Sequence, residues 1–288
     1  MANTIVWNKN EYEVKMRERI AKPTCWMDVM NVKYSNNRTI TGSYMSTEPD
    51  TQTGTRGTAY GYSDFVLTAE TLTIDQYAII PMFVDEADRY QQTYASQMDI
   101  ASYQGKKISE KLESLTLAQH ASWTDFGATD LSNTGDDDTT QITVSASNID
   151  DIIRAIKRKI YSNNGVDFAV EKGIYIVWRA ADFELLEAFA QANGYVVADN
   201  ALKSGIPVPK GFHYMGVDHY LSTQHTANHV MAGIKGMGML GILRGTFGKT
   251  KFIEDPGKTS GVGIVSRLDH GFDWPAQLAE FSMDINVA

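Results

Sequence analysis

An α+β fold is predicted for this 288-residue sequence by three observations. One long helical pattern occupies residues 85–121, directly behind a strand pattern that ends at Pro81. Two β-like runs within 34–73 flank a tip rich in Thr, Gly, Asp and Pro. From residue 145 onward helices and strands mix without regular βαβ alternation, which separates the chain from doubly wound folds.

Residues 1–33 are polar and charged, with an amphipathic fragment at Tyr12, Val14, Met16 and Ile20 that Pro23 ends. They cannot build a core of their own, so an arm is predicted that gains order by lying on something else. Residues 34–73 form a long hairpin, and a two-stranded ribbon is marginal alone in water, so this hairpin needs a partner surface. The segment TLTIDQYAIIPMFVDE alternates and then turns apolar, as a strand entering a buried sheet does.

The helical pattern over 85–121 contains no proline and a single glycine. Tyr94, Met98, Ala101, Gly105, Ile108, Leu112 and Leu115 recur at steps of four and three, one apolar stripe. At about 1.5 Å per residue this helix would span roughly 55 Å, too long to be buried in one compact domain. The stripe is its predicted buried face, with small residues at Ala101 and Gly105 admitting a sheet.

Residues 126–140 are a loop with an aspartate run, Asp136 to Asp138, which lacks the spaced oxygens and closing Glu of a calcium loop and is read as a solvated turn. A second helix starts after Ser145. Ser147 or Asn148 caps it, and Ile149, Ile152, Ile153, Ile156 and Ile160 mark its buried face. It stops at Ser162-Asn163-Asn164-Gly165. A buried strand (GIYIVW), a helix over 181–192 and strands near Tyr214, 229–234, 239–243 and 263–268 follow. The stretch 274–287 is a final strand.

Composition narrows function. The formal net charge is −9, from 26 basic and 35 acidic side chains, which argues against a protein gripping nucleic acid through its phosphates. The dense basic stretch Arg154, Lys157, Arg158 and Lys159 is read as a solvated helix face. No apolar run approaches the ~18 residues of a membrane span, and the N-terminus lacks the pattern of a secretory signal. Cys25, the only cysteine, stands beside Trp26 and Met27 as a small packed apolar group.

No motif rises to an enzyme signature. Residues 236–241 fit G-x-G-x-x-G, yet no helix opens there to face a pyrophosphate. Gly248-Lys249-Thr250 lacks the earlier glycine and the following helix of a phosphate loop. Four of six histidines fall between His213 and His229, and His225 and His229 are four apart. The residues between them carry no glutamate base and favour a turn, so neither a metal nor a cofactor is predicted.

The order of parts resembles the major capsid proteins of tailed bacteriophages, which share the Hong Kong 97-like (Johnson) fold. The junction LTIDQYAIIPMFVDEADRYQQTYASQMD resembles the start of that family's spine helix. The stretch 174–221, with Leu185-Leu186 on its short helix and a glycine-led strand from Gly211, resembles the axial domain. The resemblance implies an N-terminal arm (1–33), an extended loop (34–73), a peripheral domain (74–144 with the spine helix 85–121), an axial domain (145–250) and a return to the peripheral domain (251–288). It implies a non-enzymatic virion subunit that assembles itself, in the host cytoplasm, as pentamers and hexamers in an icosahedral shell around double-stranded DNA. A separate scaffolding protein, a portal and a decoration protein are the implied partners, with no membrane. No lysine–asparagine cross-link is predicted. The hairpin-tip residues Glu48, Asp50, Gly54, Arg56 and Gly57 are candidate inter-subunit contacts, Arg56 as a lone cation in an acidic and neutral tip. An encapsulin-like compartment shell enclosing an enzyme cargo would use the same fold.

Overall fold

The computed structural model describes residues 9–20, 25–47, 53–57, 61, 66–85, 94–132, 138–193, 211–254, 261–275 and 278–288. In chain order the elements are α1 (Lys9–Ile20), α2 (Cys25–Val29), β1 (Asn31–Ser35), β2 (Thr39–Thr47), β3 (Val66–Thr73), β4 (Gln76–Asp85) and α3 (Tyr94–Leu117). Next come β5 (Thr124–Phe126), α4 (Ile149–Ser162), α5 (Val166–Lys172), β6 (Ile174–Trp178), α6 (Ala180–Ala192), β7 (Gly211–Tyr214) and β8 (Val217–Leu221). The chain ends with β9 (His229–Ile234), β10 (Met239–Leu243), β11 (Lys249–Glu254), β12 (Gly261–Asp273) and β13 (Ser282–Asn286).

Two sheets organise the fold. In the first, β12 has β4 along one edge and β10 and β11 along the other, and β1 pairs parallel with β10. The second is six-stranded, in the order β5-β13-β9-β6-β8-β7. β6 explains why GIYIVW is apolar throughout. Ile174, Ile176 and Trp178 join the core beneath α4 and α6, whereas Tyr175 and Val177 join a core with Trp26, Ile108, Leu112, Leu240 and Leu268. A strand buried on both faces needs no polar alternation. α4 presents the isoleucine stripe to the first of these cores, and Ile149, Ile152, Ile153, Ile156 and Ile160 are buried.

Several expectations are corrected. The strand before the long helix does not stop at Pro81. β4 stays in register with β12 from Gln76↔His270 to Asp85↔Gly261, and Pro81 is tolerated because β4 is an edge strand among the described residues. Asp85 is therefore the last residue of a strand, and the described helix covers 24 residues from Tyr94, about 36 Å. A 3-10 turn, Ala118–Ser122, continues it, and residues 86–93 lie outside the described part.

The described part of the N-terminal segment lies on the long helix of its own chain. Tyr12, Met16, Ile20, Cys25, Trp26 and Val29 are all buried within their own chain. The expected single return at 251–288 is split, because β12 belongs to the first sheet and β13 to the second, beside β5 and β9. Likewise β10, which the resemblance places with the axial part, lies in the first sheet. The final strand is shorter than 274–287, and α5 is a helix that periodicity missed.

Candidate assembly surfaces

The long helix α3 is packed by another helix. At Gly105 an added Cβ would lie 2.7 Å from the carbonyl oxygen of Met16 and 2.9 Å from Cβ of Arg19. The small residue thus admits α1, where a sheet was expected. Ala101, Gly105, Ile108 and Leu112 are buried, Met98 and Leu115 are half-buried, and the side chain of Tyr94 lies outside the described part.

The same face also buries Gln97, Gln104, Ser109, Glu113 and Thr116, which an apolar stripe does not anticipate. Four of these have hydrogen-bond partners that explain their burial. Gln104 Oε1 accepts from Tyr12 Oη at 2.8 Å and from Ser266 Oγ at 2.8 Å. Trp26 Nε1 donates to Ser109 Oγ, Ser222 Oγ donates to Glu113, and Thr116 Oγ1 returns to the Leu112 carbonyl. Glu13, also buried, accepts from the Thr250 amide and pairs with Lys249 at 3.0 Å. Burial pushes the Tyr12 phenol well above its usual range. A polar seam therefore locks α1 to α3 and to the first sheet.

The β2–β3 hairpin projects from this body. Its strands pair from Thr39↔Thr73 to Thr47↔Val66. Leu72 at its base is buried, as is Ile74 just beyond it, while Thr41, Gly42, Ser43, Val66 and Leu67 are exposed. At the tip Gly54, Arg56 and Gly57 are exposed, with nothing within 4 Å of a Cβ built on either glycine. Gly57 has φ +93°, a turn conformation that suits glycine. Glu48 and Asp50 lie outside the described residues. Along β4 the alternation places Tyr77, Ile79 and Phe83 outward and exposed, with the Arg267 guanidinium 4.4 Å from the Tyr77 ring centroid.

The basic stretch on α4 is only partly a solvated face. Arg154 pairs with Asp150 and Asp151, Lys157 donates to the Met215 carbonyl, and Arg158 donates to the carbonyls of Asp130 and Leu131. Lys159 was misread, being buried and paired with buried Asp130 at 3.0 Å. Arg154, Lys157 and Arg158 line an open depression of about 470 Å³ with Tyr161 and Ser162, but they are already engaged by the protein. The aspartate run is also more than a solvated turn. Asp138 accepts from the amides and hydroxyls of Thr129 and Thr140, and those bonds hold its carboxyl well below the usual range. Asp136 and Asp137 lie outside the described residues.

The G-x-G-x-x-G stretch is a turn at Gly236 leading into β10, with no helix after it. Gly248 sits in a turn leading into β11. Among the histidines, His219 Nδ1 accepts from Trp178 Nε1 at 2.9 Å, and burial pushes this imidazole down to about 4. The spacing that drew attention to His225 and His229 is not the one the fold uses. His229 opens β9 and meets His120 and Asp284, residues far from it in sequence. No local pattern in the sequence marks that meeting. Among the described residues no helix is long and apolar enough to cross a membrane.

No known family model matches the chain, and no curated protein matches it. Solved structures do. The capsid of Ralstonia phage GP4 is 9% identical, with a TM-score of 0.60 over 90% of this chain and 87% of that one. The capsid of cyanophage P-SCSP1u is 13% identical, with a TM-score of 0.56 over 93% and 89%. A virus-like particle from Pyrococcus furiosus is 10% identical, with a TM-score of 0.62 over 98% and 100%. At such identities the likeness speaks for architecture, and by it this chain has the α+β, Hong Kong 97-like fold.

Proposed function

We propose that the chain is the major capsid (coat) protein of a tailed bacteriophage. It assembles with itself as pentamers and hexamers into an icosahedral shell enclosing double-stranded DNA. The observation that carries this reading is a hairpin exposed at most of its described residues, on a well-packed body whose fold is that of phage capsids. A two-stranded ribbon is marginal alone in water, and neighbouring subunits in a closed shell supply a surface for it.

Within the shell, α3 and the first sheet form the peripheral unit, and the six-stranded sheet with α4 and α6 the axial unit. The exposed Tyr77, Ile79 and Phe83 with the tip around Arg56 are contact surfaces between subunits. The role is structural, without catalysis. A net charge of −9 suits a wall that contains DNA without holding it. A scaffolding protein, a portal and a decoration protein are the partners this reading supplies, assembly takes place in the host cytoplasm, and the mature location is the virion.

Negative-stain electron microscopy of the chain, expressed with and without its neighbouring genes, tests the reading. Closed shells of uniform diameter support it, and a monodisperse monomer in both samples rejects it. Two of the three similar structures named above are phage capsids, so the compartment alternative is the weaker one. Protein cargo in place of nucleic acid inside native particles would reverse that order.

A further inference from the structure

Three segments distant in sequence bring a metal-ligating set together at the end of α3. His120 lies in the 3-10 turn after that helix, His229 opens β9, and Asp284 is central in β13. The two imidazoles are stacked, with centroids 3.7 Å apart and planes 17° apart. Both direct Nδ1 towards one carboxylate oxygen, Asp284 Oδ2, at 3.6 Å from His120 and 2.7 Å from His229. Asp284 is 2% exposed and its other oxygen, Oδ1, has no hydrogen-bond partner among the described residues.

We propose that His120, His229 and Asp284 form a binding site for a divalent transition-metal ion of the Zn2+ type, clamping the end of α3 to β9 and β13. Imidazole and carboxylate are the donor types such ions accept, and one ligand atom from each residue lies within 4.8 Å of the others. Tetrahedral bonds of about 2.0–2.1 Å separate ligand atoms by about 3.4 Å. The His120–Asp284 distance already matches that spacing. The His229–Asp284 distance is that of a hydrogen bond, so a bound ion replaces the shared proton, the pair opens by roughly 0.7 Å, and the stacked rings tilt apart to bring each in-plane Nδ1 lone pair onto the ion.

The surroundings favour a cation. Asp125 adds a second carboxylate nearby. The two imidazoles are each about one-quarter exposed, which leaves a route for the ion and a fourth position for water. The role is structural, and it does not rest on the capsid reading.

The test uses the untagged full chain, stripped with a chelator and titrated with Zn2+, as free subunit or as particles. One equivalent per chain is expected, with proton release on binding and a raised melting temperature. Co2+ in place of Zn2+ should give the visible absorption of a four-coordinate site. His120→Gln and His229→Gln should each weaken binding by more than about tenfold. His120→Gln, in a 3-10 turn outside the sheet, guards against a variant that fails to fold. No stoichiometric uptake by the wild-type chain overturns the proposal, as does uptake unchanged in both variants, which would place the ion at other histidines.

Discussion

Tyr12 donates a 2.8 Å hydrogen bond to Gln104, 92 residues further along the chain, inside a region closed to water. That bond binds the N-terminal helix to the long helix, and Ser266 of the first sheet donates to the same oxygen. Tyr12→Phe removes one donor and should cost about 1 kcal/mol. Gln104→Met removes the acceptor of both bonds and should cost more. Urea denaturation of the unassembled subunit measures the two, and equal losses would contradict a shared acceptor.

Gly105 is where α1 comes closest. A leucine there must displace backbone at Met16, beyond the reach of a simple rotamer change. Gly105→Leu should destabilise the fold by about 1–3 kcal/mol, the usual range for overpacking. A melting temperature equal to wild type would refute the contact.

Lys159 and Asp130 form an ion pair with side chains 4% and 1% exposed. Asp130 also accepts from the Gly127 amide, and Lys159 also donates to the Asp125 carbonyl. Lys159→Met leaves a buried carboxylate without its charge partner and should cost about 3–5 kcal/mol. Adding Asp130→Leu should recover part of that loss. A double variant no more stable than Lys159→Met would count against this account.

Acid should weaken the fold through two histidines. Burial pushes His219 and His225 each down from 6.5 to about 4. The unfolded chain therefore binds protons in that interval that the folded chain does not. Their contribution is complete above about pH 6.5 and declines as pH falls towards 4, by on the order of 3 kcal/mol per histidine. Asp284 acts in the opposite sense. Its raised pKa is a penalty at neutral pH that fades as pH falls through that value, offsetting a little of the loss. His219→Asn keeps an acceptor for Trp178 but takes up no proton, so its denaturation midpoint should depend less on pH than that of wild type. An unchanged pH dependence would exclude His219 as a contributor.

Arg56 stands exposed at the hairpin tip. Under the capsid reading Arg56→Glu should lower particle yield on a sucrose gradient, while the melting temperature of the free subunit stays at the wild-type value. Undiminished particle yield would remove Arg56 from the contact.

Much of the architecture was legible in the residues themselves. The isoleucine stripe of 149–160, the doubly buried run Ile174–Trp178, the paired β runs around the hairpin and the α+β class all follow from periodicity, because each element records which of its faces leaves water. Periodicity does not record what covers that face. Gly105 and Ala101 announced a close approach, but only the tertiary structure decided that α1 makes it. Lys159 looked like its solvated neighbours until Asp130, remote in sequence, met it. Pro81 ended a strand by local rule, and the β12 edge carried that strand on to Asp85. His120, His229 and Asp284 carry no local sign of one another. Elements and their buried faces are written in the residues, since these depend on short-range backbone and solvation preferences. The tertiary structure alone decided the partners, since a contact between distant residues exists only once the chain between them has folded.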